Sequence, residues 1–382
     1  MKLRFLLHDV YGRGGGVLTV TLALAGELAE RHDVELVSLF AGDTPVYALP
    51  EGVPVRNLID RSAKEGFWRR RLSRMPSRVM PETEPRYTDY SLYTDLVLAR
   101  YLRSLRDGAV VTMQPGLNIA LARLGTDRYI RIAQDHRPFV NRPRTVLDLY
   151  ERHGGRLDAF LALTRRDAKR YRRLLGGRTP VRRMTNGTPA WHGEHSTLTS
   201  KVVVAAGRLE PSKGFDLLVT AWQQVAAKHA DWTLRIYGDG SKRGELEQQI
   251  DELGLRGRVS LEGYTTSLQD EMAKASLFVL SSRAEGYGMV LVEAMACGVP
   301  VVSTNCPTGP RDIITPGVDG LLVPNKDVDA LAKAIIEMIE LDDDRRREMG
   351  AAALAKAEER SQTAVSAEWD NLLERLAARR AR

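Results

Sequence analysis

Lys2-Leu3-Arg4-Phe5-Leu6-Leu7-His8-Asp9-Val10, then Tyr11-Gly12-Arg13-Gly14-Gly15-Gly16, then Val17–Arg31 and Val34–Phe40: this opening stretch decides the fold. The first run reads as a buried strand and the glycine-rich segment as a turn. Val17–Arg31 reads as a helix, with Leu18, Leu22, Ala25 and Leu28 recurring at helical spacing. Val34–Phe40 reads as a second strand. Strand, turn, helix, strand is a βαβ unit, the building block of a doubly wound parallel sheet. Ala109–Thr112, Tyr129–Gln134, Phe160–Leu163 and Val181–Met184 continue that sheet.

The same alternation restarts after a break. Asn186-Gly187-Thr188-Pro189 and the residues after it are turn formers, which places a linker at 191–200 between a first domain over 1–190 and a second over 201–362. In the second, Val202–Ala206, Thr233–Tyr237, Val259–Leu261, Leu277–Leu280 and Val299–Ser303 read as strands with helices between them. A C-terminal helix over 363–382 is placed to cross back to the first domain. The expected fold class is therefore α/β, with two facing Rossmann-like doubly wound domains and an interdomain cleft; 382 residues suit two cores better than one.

Composition narrows the class. Apolar residues at 43 % and charged residues at 27 % are the balance of a globular protein, and no apolar run approaches the roughly 18 residues of a membrane span. The start lacks the pattern of a signal peptide, so the expected location is cytoplasmic, with peripheral contact at the inner membrane face. Cys297 and Cys306 make neither a disulfide framework nor a zinc pattern and read as packing residues. The net charge of +7 is local: Trp68-Arg69-Arg70-Arg71 with Arg74 and Arg78, Arg165-Arg166 to Arg172-Arg173, and the tail Arg379-Arg380-Ala381-Arg382. Two readings stand for these clusters, a solvated face or a surface for a polyanion or an anionic membrane.

Three segments carry chemistry. Gly12–Gly16, between a strand and a helix, either faces a ligand or is a packing turn. It is not a dinucleotide fingerprint, because Val17 stands at the third glycine and no acid ends the second strand. No Walker A motif exists. In Gly207-Arg208-Leu209-Glu210-Pro211-Ser212-Lys213-Gly214, Arg208 offers a forked contact and Lys213 a point charge to one diphosphate. In Glu285-Gly286-Tyr287-Gly288-Met289-Val290-Leu291-Val292-Glu293, a helix beginning near Gly288 turns its N–H groups towards an anion. Its two carboxylates, eight residues apart, would be separated by a rise of about 12 Å if helical throughout, enough to serve different parts of an extended ligand.

Gly207-Arg208-Leu209 with Lys213-Gly214, Glu285–Glu293, Ala294–Val302 and Gly320-Leu321-Leu322-Val323-Pro324 together resemble the retaining glycosyltransferases of family 4, which have the GT-B fold. The resemblance is strongest over 201–341. It implies transfer of a sugar from a nucleotide-sugar donor, UDP-linked on family frequency, to an acceptor hydroxyl on a surface polymer, a lipid-linked glycoside or a small glycoside. It implies that Arg208 and Lys213 hold the diphosphate, that Glu293 holds the ribose and that Glu285 stands beside the transferred sugar. The backbone of Tyr287, Gly288, Met289 and Val290 would contact phosphate or sugar, with Gly15 and Gly16 against the donor and Gly263-Tyr264 framing the base. His136 would reach towards the donor sugar, or else be a hydrogen-bonded loop histidine. No cofactor and no metal are implied. The chain departs from the usual pattern at Thr308-Gly309-Pro310-Arg311-Asp312, where many members carry two glycines and a glutamate; the Gly-Pro form leans towards capsule and teichoic-acid glycosylation.

Two other functions compete. A nucleotide-sugar epimerase of the same fold would need no acceptor. A non-catalytic basic protein would explain the charge but leave the glycine and acidic motifs idle, and with aromatics at 6 % there is no stacking platform for nucleic acid.

Overall fold

A computed structural model describes residues 1–12, 14–62 and 66–380. Arg13 of the glycine-rich segment and Ala381-Arg382 of the basic tail lie outside the described residues. The chain divides into two units, Met1–Gly187 with Gln362–Arg382, and Thr188–Ser361.

The first unit runs β1 (Lys2–Leu7), α1 (Gly16–Ala29), β2 (Asp33–Phe40), β3 (Val55–Ile59), α2 (Phe67–Ser73), α3 (Leu92–Ser104), β4 (Ala109–Thr112), α4 (Pro115–Leu124), β5 (Ile130–Asp135), α5 (Arg144–His153), β6 (Ala159–Ala162), α6 (Arg165–Leu175) and β7 (Val181–Arg183). Its seven strands lie in the order β3-β2-β1-β4-β5-β6-β7, with every paired neighbour parallel. Alternate residues of β1 feed opposite faces: Leu3, Phe5 and Leu7 enter one apolar cluster and Leu6 the other.

The second unit runs β8 (Val202–Ala206), α7 (Phe215–Lys228), β9 (Thr233–Tyr237), α8 (Arg243–Glu252), β10 (Val259–Gly263), α9 (Leu268–Ala273), β11 (Leu277–Leu280), α10 (Met289–Ala296), β12 (Val301–Thr304), α11 (Pro310–Ile313), β13 (Gly320–Val323), α12 (Val328–Ile339) and α13 (Asp343–Glu358). Its parallel order is β10-β9-β8-β11-β12-β13. Both sheets are thus doubly wound, and the strand order reverses between β1 and β4 in one and between β8 and β11 in the other.

The last helix, α14 (Gln362–Arg380), belongs to the first unit. Its Val365, Trp369, Leu372, Leu373 and Leu376 pack with Leu18, Leu22, Ala25 and Leu28 of α1. Asp370 accepts from Arg31 Nε at 2.9 Å and lies 2.7 Å from His32 Nε2. Each fully buried large apolar side chain here contributes about 1.5–3 kcal/mol.

Two sequence expectations need correction. The segment expected as a linker, 191–200, is packed onto the second unit: Ser196 donates to Cys297 O and Ala275 O, Leu198 is buried, and Arg346 donates to Leu198 O. The chain crosses instead at 187/188 and at 361/362. The reading also lacks β3 and β13, both edge strands. β3 carries exposed Arg56 and Asn57, and β13 has four residues beginning at Gly320, so neither shows the buried apolar run that marks the inner strands. Cys297 and Cys306 are both buried and unpaired, and burial pushes both thiols up to about 12.

Candidate functional site

In open α/β sheets, ligands bind at the carboxyl ends of the strands where the order reverses. In the second unit that point joins the loop after β8 to the loop after β11. The first holds Gly207-Arg208, a single 3-10 turn at Pro211–Lys213 and Gly214, whose φ of 66° starts α7. The second holds Ser281–Gly288. Ser281 Oγ donates to Lys213 O (3.0 Å), Arg283 N–H to Ser212 O (2.8 Å), and the Arg283 guanidinium forks onto both Asp216 oxygens (2.7 and 2.6 Å). That forked bond holds the Asp216 carboxyl below its ordinary range. So stapled, the two loops set Lys213 Nζ 2.6 Å from Glu285 Oε1, which also accepts from Ser282 Oγ at 2.6 Å. Arg208 is exposed, and its guanidinium makes no hydrogen bond or ion pair among the described residues.

The glutamate loop has a rigid backing. Glu285 N–H donates to Pro307 O and Thr308 N–H to Glu285 O. Gly309 passes so close to the Tyr287 carbonyl that a Cβ there would lie 1.6 Å from its oxygen. This explains the glycine of Thr308-Gly309-Pro310, where the sequence departs from the common pattern. The Tyr287 hydroxyl accepts from Arg360 Nε (2.7 Å), and Arg360 Nη2 donates to Asp312 O (2.9 Å), so one buried guanidinium ties both segments together. Gly288, at φ 96°, caps α10 without a side-chain bond and leaves the first-turn N–H groups of Met289 and Val290 open to an anion. Burial raises the Glu293 carboxyl above its ordinary range, against the opposing charge of Lys213. Glu293 borders a cavity of about 280 Å³ with Pro189, Trp191 and residues 266–270.

Not every candidate joins this cluster. Gly263 is tied in through the backbone, since its carbonyl accepts from Gly238 N–H, and Gly207 N–H donates to Tyr237 O next door. The Tyr264 side chain, 81 % exposed, lines a separate depression with Arg235, Arg258 and Glu271.

The first unit has its own site where its strand order reverses. A cavity of about 250 Å³ brings Gly14, Gly15, Gly16 and His136 together with His8, Asp9, Glu84, Arg86, Gln114, Arg137 and Arg142. Cβ atoms at Gly15 and Gly16 would meet nothing within 4 Å, so packing does not demand glycine there, whereas one at Gly12 would strike the Asp9 carboxylate. His136 is buried and its Nε2 has no hydrogen-bond partner among the described residues. Burial first, and then Arg142, push its imidazole down to about 4, against the pull of Asp135. The loop carrying it is anchored by Asp135, which accepts from Arg142 Nε (2.9 Å), Tyr171 OH (2.7 Å) and Arg137 N–H (3.1 Å). Burial raises Asp9, yet bonds from His8 and Gly12 N–H and the charge of Arg86 hold it at about 2. His8 Nε2 lies 3.1 Å from Asp89 Oδ2, within ion-pair distance but outside hydrogen-bond geometry. Glu84 accepts from Gly116 N–H, and burial raises its carboxyl.

Sequence reading missed Ser282, Arg283, Arg360, His8, Asp9, Glu84, Arg86 and the Asp135–Arg142 pair. His8-Asp9 had a signal, because it follows β1 as Gly207-Arg208 follows β8. Arg86 and Arg360 meet their partners 77 and 73 residues away, and local pattern cannot show that.

Comparison with known proteins bears on these sites. Residues 189–356 match the family described as glycosyl transferases group 1. All of the chain aligns at 35 % identity with an exopolysaccharide phosphotransferase of Streptomyces coelicolor, of which it spans 41 %. A stretch of 144 residues, 38 % of the chain, is 33 % identical to a poly(ribitol-phosphate) alpha-N-acetylglucosaminyltransferase of Staphylococcus aureus and covers 29 % of it. The crystal structure of Anabaena HepE in complex with UDP superposes with a TM-score of 0.72 at 20 % identity, covering 98 % of this chain and 100 % of that one. That likeness gives the chain the GT-B fold, and the family match runs over the unit that holds Lys213, Glu285 and Glu293.

Proposed function

We propose that the chain is a retaining glycosyltransferase that moves a sugar from a UDP-linked donor to a hydroxyl of a phosphate-bearing surface polymer. The observation that carries this reading is the Lys213–Glu285 pair beside the open N-terminus of α10, with Arg208 exposed on the adjoining loop. Cation, helix dipole and carboxylate in one place suit a diphosphate leaving a sugar. The relatives named for exopolysaccharide and poly(ribitol-phosphate) chemistry, and the UDP held by HepE, support the donor and acceptor classes.

In this reading the bond between the anomeric carbon and the phosphate oxygen breaks through an oxocarbenium-like state. Arg208, Lys213 and the N–H groups of Met289 and Val290 stabilise the charge that builds on the departing phosphate, so neither a metal nor a cofactor is required. The acceptor hydroxyl attacks the face the phosphate leaves and gives its proton to a phosphate oxygen, which retains configuration. Glu285 orients the sugar and Glu293 the ribose. His136, held neutral, accepts or donates one hydrogen bond in the first unit's cavity, where Gly15 and Gly16 leave room for a ligand. Among the described residues no helix is long and apolar enough to cross a membrane. In α2, Phe67 and Trp68 are 72 % and 69 % exposed beside Arg69, Arg70 and Arg71, which suits peripheral contact with an anionic membrane face.

Nucleotide release and thermal shift with UDP-, GDP- and ADP-sugars, read on wild type, Lys213→Ala and Glu285→Ala, test the proposal. Slow release from one donor, lost in both variants, is the expected result. Absence of any nucleotide-sugar shift in the wild type would sink it. Release that depends on an added acceptor, with a transferred sugar in the product, separates it from an epimerase.

A further inference from the structure

The first unit carries a second cavity, of about 250 Å³, in which neither His136 nor the glycine-rich turn takes part. Five arginines line it, Arg131, Arg156, Arg178, Arg379 and Arg380, against the one carboxylate of Asp158. Arg131 satisfies that carboxylate, donating from its backbone N–H (2.8 Å) and from Nε (3.0 Å). The other four form no ion pair among the described residues. Arg156 donates to Arg123 O, Arg178 to Leu175 O and Glu151 O, and Arg380 to Asp127 O. Bonds to neutral carbonyls fix the guanidinium planes of Arg156, Arg178 and Arg380 without cancelling their charge. The cavity therefore holds preorganised forks with most of their positive charge uncompensated.

The flanking elements extend the same charge. α6 exposes Arg166, Lys169, Arg172 and Arg173, and the edge strand β7 exposes Arg182. The field is felt nearby: partial burial first, and then the charges of Arg123, Arg152 and Arg156, push the His153 imidazole below its ordinary value.

From these observations we infer that the arginine cavity and the face of α6 bind consecutive phosphates of an anionic polymer acceptor. The site lies outside the residues assigned to transfer, and the inference rests on the reading of the acceptor as phosphate-bearing. Three features favour this occupant. Guanidinium forks match phosphodiester oxygens in pairs, and a cavity admits one phosphate while the helix face tracks the next ones. No exposed large apolar residue lies in the cavity or on α6 among the described residues, whereas a helix seated in a membrane interface inserts such residues. No aromatic platform accompanies the arginines, so a single-stranded nucleic acid would find no stacking surface.

The test uses the full chain and a fluorescent glycerol-phosphate oligomer. Controls are an uncharged dextran of similar length, vesicles of phosphatidylcholine and phosphatidylglycerol, and a single-stranded RNA. Expected are oligomer binding that weakens steeply between about 50 and 200 mM salt, as phosphate neutralisation does, and no binding of dextran. In Arg156→Gln/Arg178→Gln/Arg379→Gln binding should fall about ten-fold or more, with a shallower salt slope. Arg178 also braces backbone, so Arg379→Glu, at an exposed position, provides a second variant with an expected loss of about three-fold. Charge neutralisation on α2 should leave oligomer binding unchanged. Unaltered oligomer binding in both cavity variants would overturn the inference, as would RNA or vesicle binding that is stronger than oligomer binding and lost with the same arginines. Nucleotide release from the donor, measured on the same proteins, keeps the two claims apart. Normal release with no oligomer binding removes only this inference, whereas oligomer binding without any donor turnover removes only the transferase reading.

Discussion

The two units have the same strand order around the reversal, yet the chemistry placed there differs. In the first, two carboxylates are already matched: Asp9 with His8 and Arg86, Asp135 with Arg142. The buried Nε2 of His136 has no hydrogen-bond partner among the described residues, and that of His8 has only the Asp89 carboxylate at ion-pair distance. In the second, a single lysine and a single glutamate share one bond, Arg208 makes no ion pair among the described residues, and a helix start lies open. A common topology thus builds two polar clefts at the strand reversals and dictates nothing about their charge. The first is a walled polar pocket whose electrostatics are set before anything binds. The second leaves the Arg208 charge and the first-turn N–H groups of α10 unmatched among the described residues.

The two units should respond differently to substitution, and the largest effect should be on folding of the first unit alone. Trp369→Ala removes a side chain that is 1 % exposed and should cost about 3–5 kcal/mol, lowering the first unit's unfolding transition while leaving any nucleotide-induced shift of the second intact. Loss of that shift together with the first transition would mean that the units do not behave separately.

Next comes Glu285→Gln, which keeps the bond from Ser282 but removes the charge facing Lys213. Turnover of a nucleotide sugar should fall by about 10²-fold or more, with little change in melting temperature. A drop in stability equal to the drop in rate would make the pair structural.

A pH titration sharpens the contrast from the other side. The folded imidazole of His136 sits at about 4 against an ordinary 6.5, so the folded state refuses a proton that the unfolded chain accepts. Its stabilising contribution is complete above about pH 6.5 and is lost as pH falls towards 4, to a total of about 3 kcal/mol at most. Denaturant melts of wild type and His136→Asn across that range should diverge, with the variant flatter. Parallel curves would show that the histidine is charged or solvated.

Smallest is Tyr287→Phe, which leaves the buried Arg360 Nε without its acceptor and should cost about 1.5 kcal/mol. Donor release should slow only a few-fold, because Asp312 O still holds the guanidinium. A loss as large as that of Glu285→Gln would promote Tyr287 from bracing the loop to contacting the ligand.

What could be read in advance follows from range. The inner strands, Leu3–Leu7 or Val202–Ala206 for example, announce themselves because both faces are buried, and Lys213 and Glu285 could be named because each sits in a local turn motif. That they touch depends on Arg283 bridging Ser212 and Asp216, 71 and 67 residues away. Nothing in the spacing of either motif encodes that bridge. Tyr264 shows how far a motif reaches: Gly263 is held at the strand ends through its backbone, while the exposed side chain one residue on lines a depression with Arg235, Arg258 and Glu271. The edge strands β3 and β13 escaped because an edge needs only half the burial of a centre.

The return of α14 to the first unit has a consequence for biosynthesis. A ribosome delivers residues 362–380 only after all of the second unit has emerged. Until then α1 presents Leu18, Leu22, Ala25 and Leu28 without the helix that covers them. The first half of the chain is made early but finishes folding late, with the middle folding in the interval. Nascent chains halted before residue 362 should accordingly carry an exposed greasy stripe, the kind of surface that chaperones hold and that aggregates when they do not.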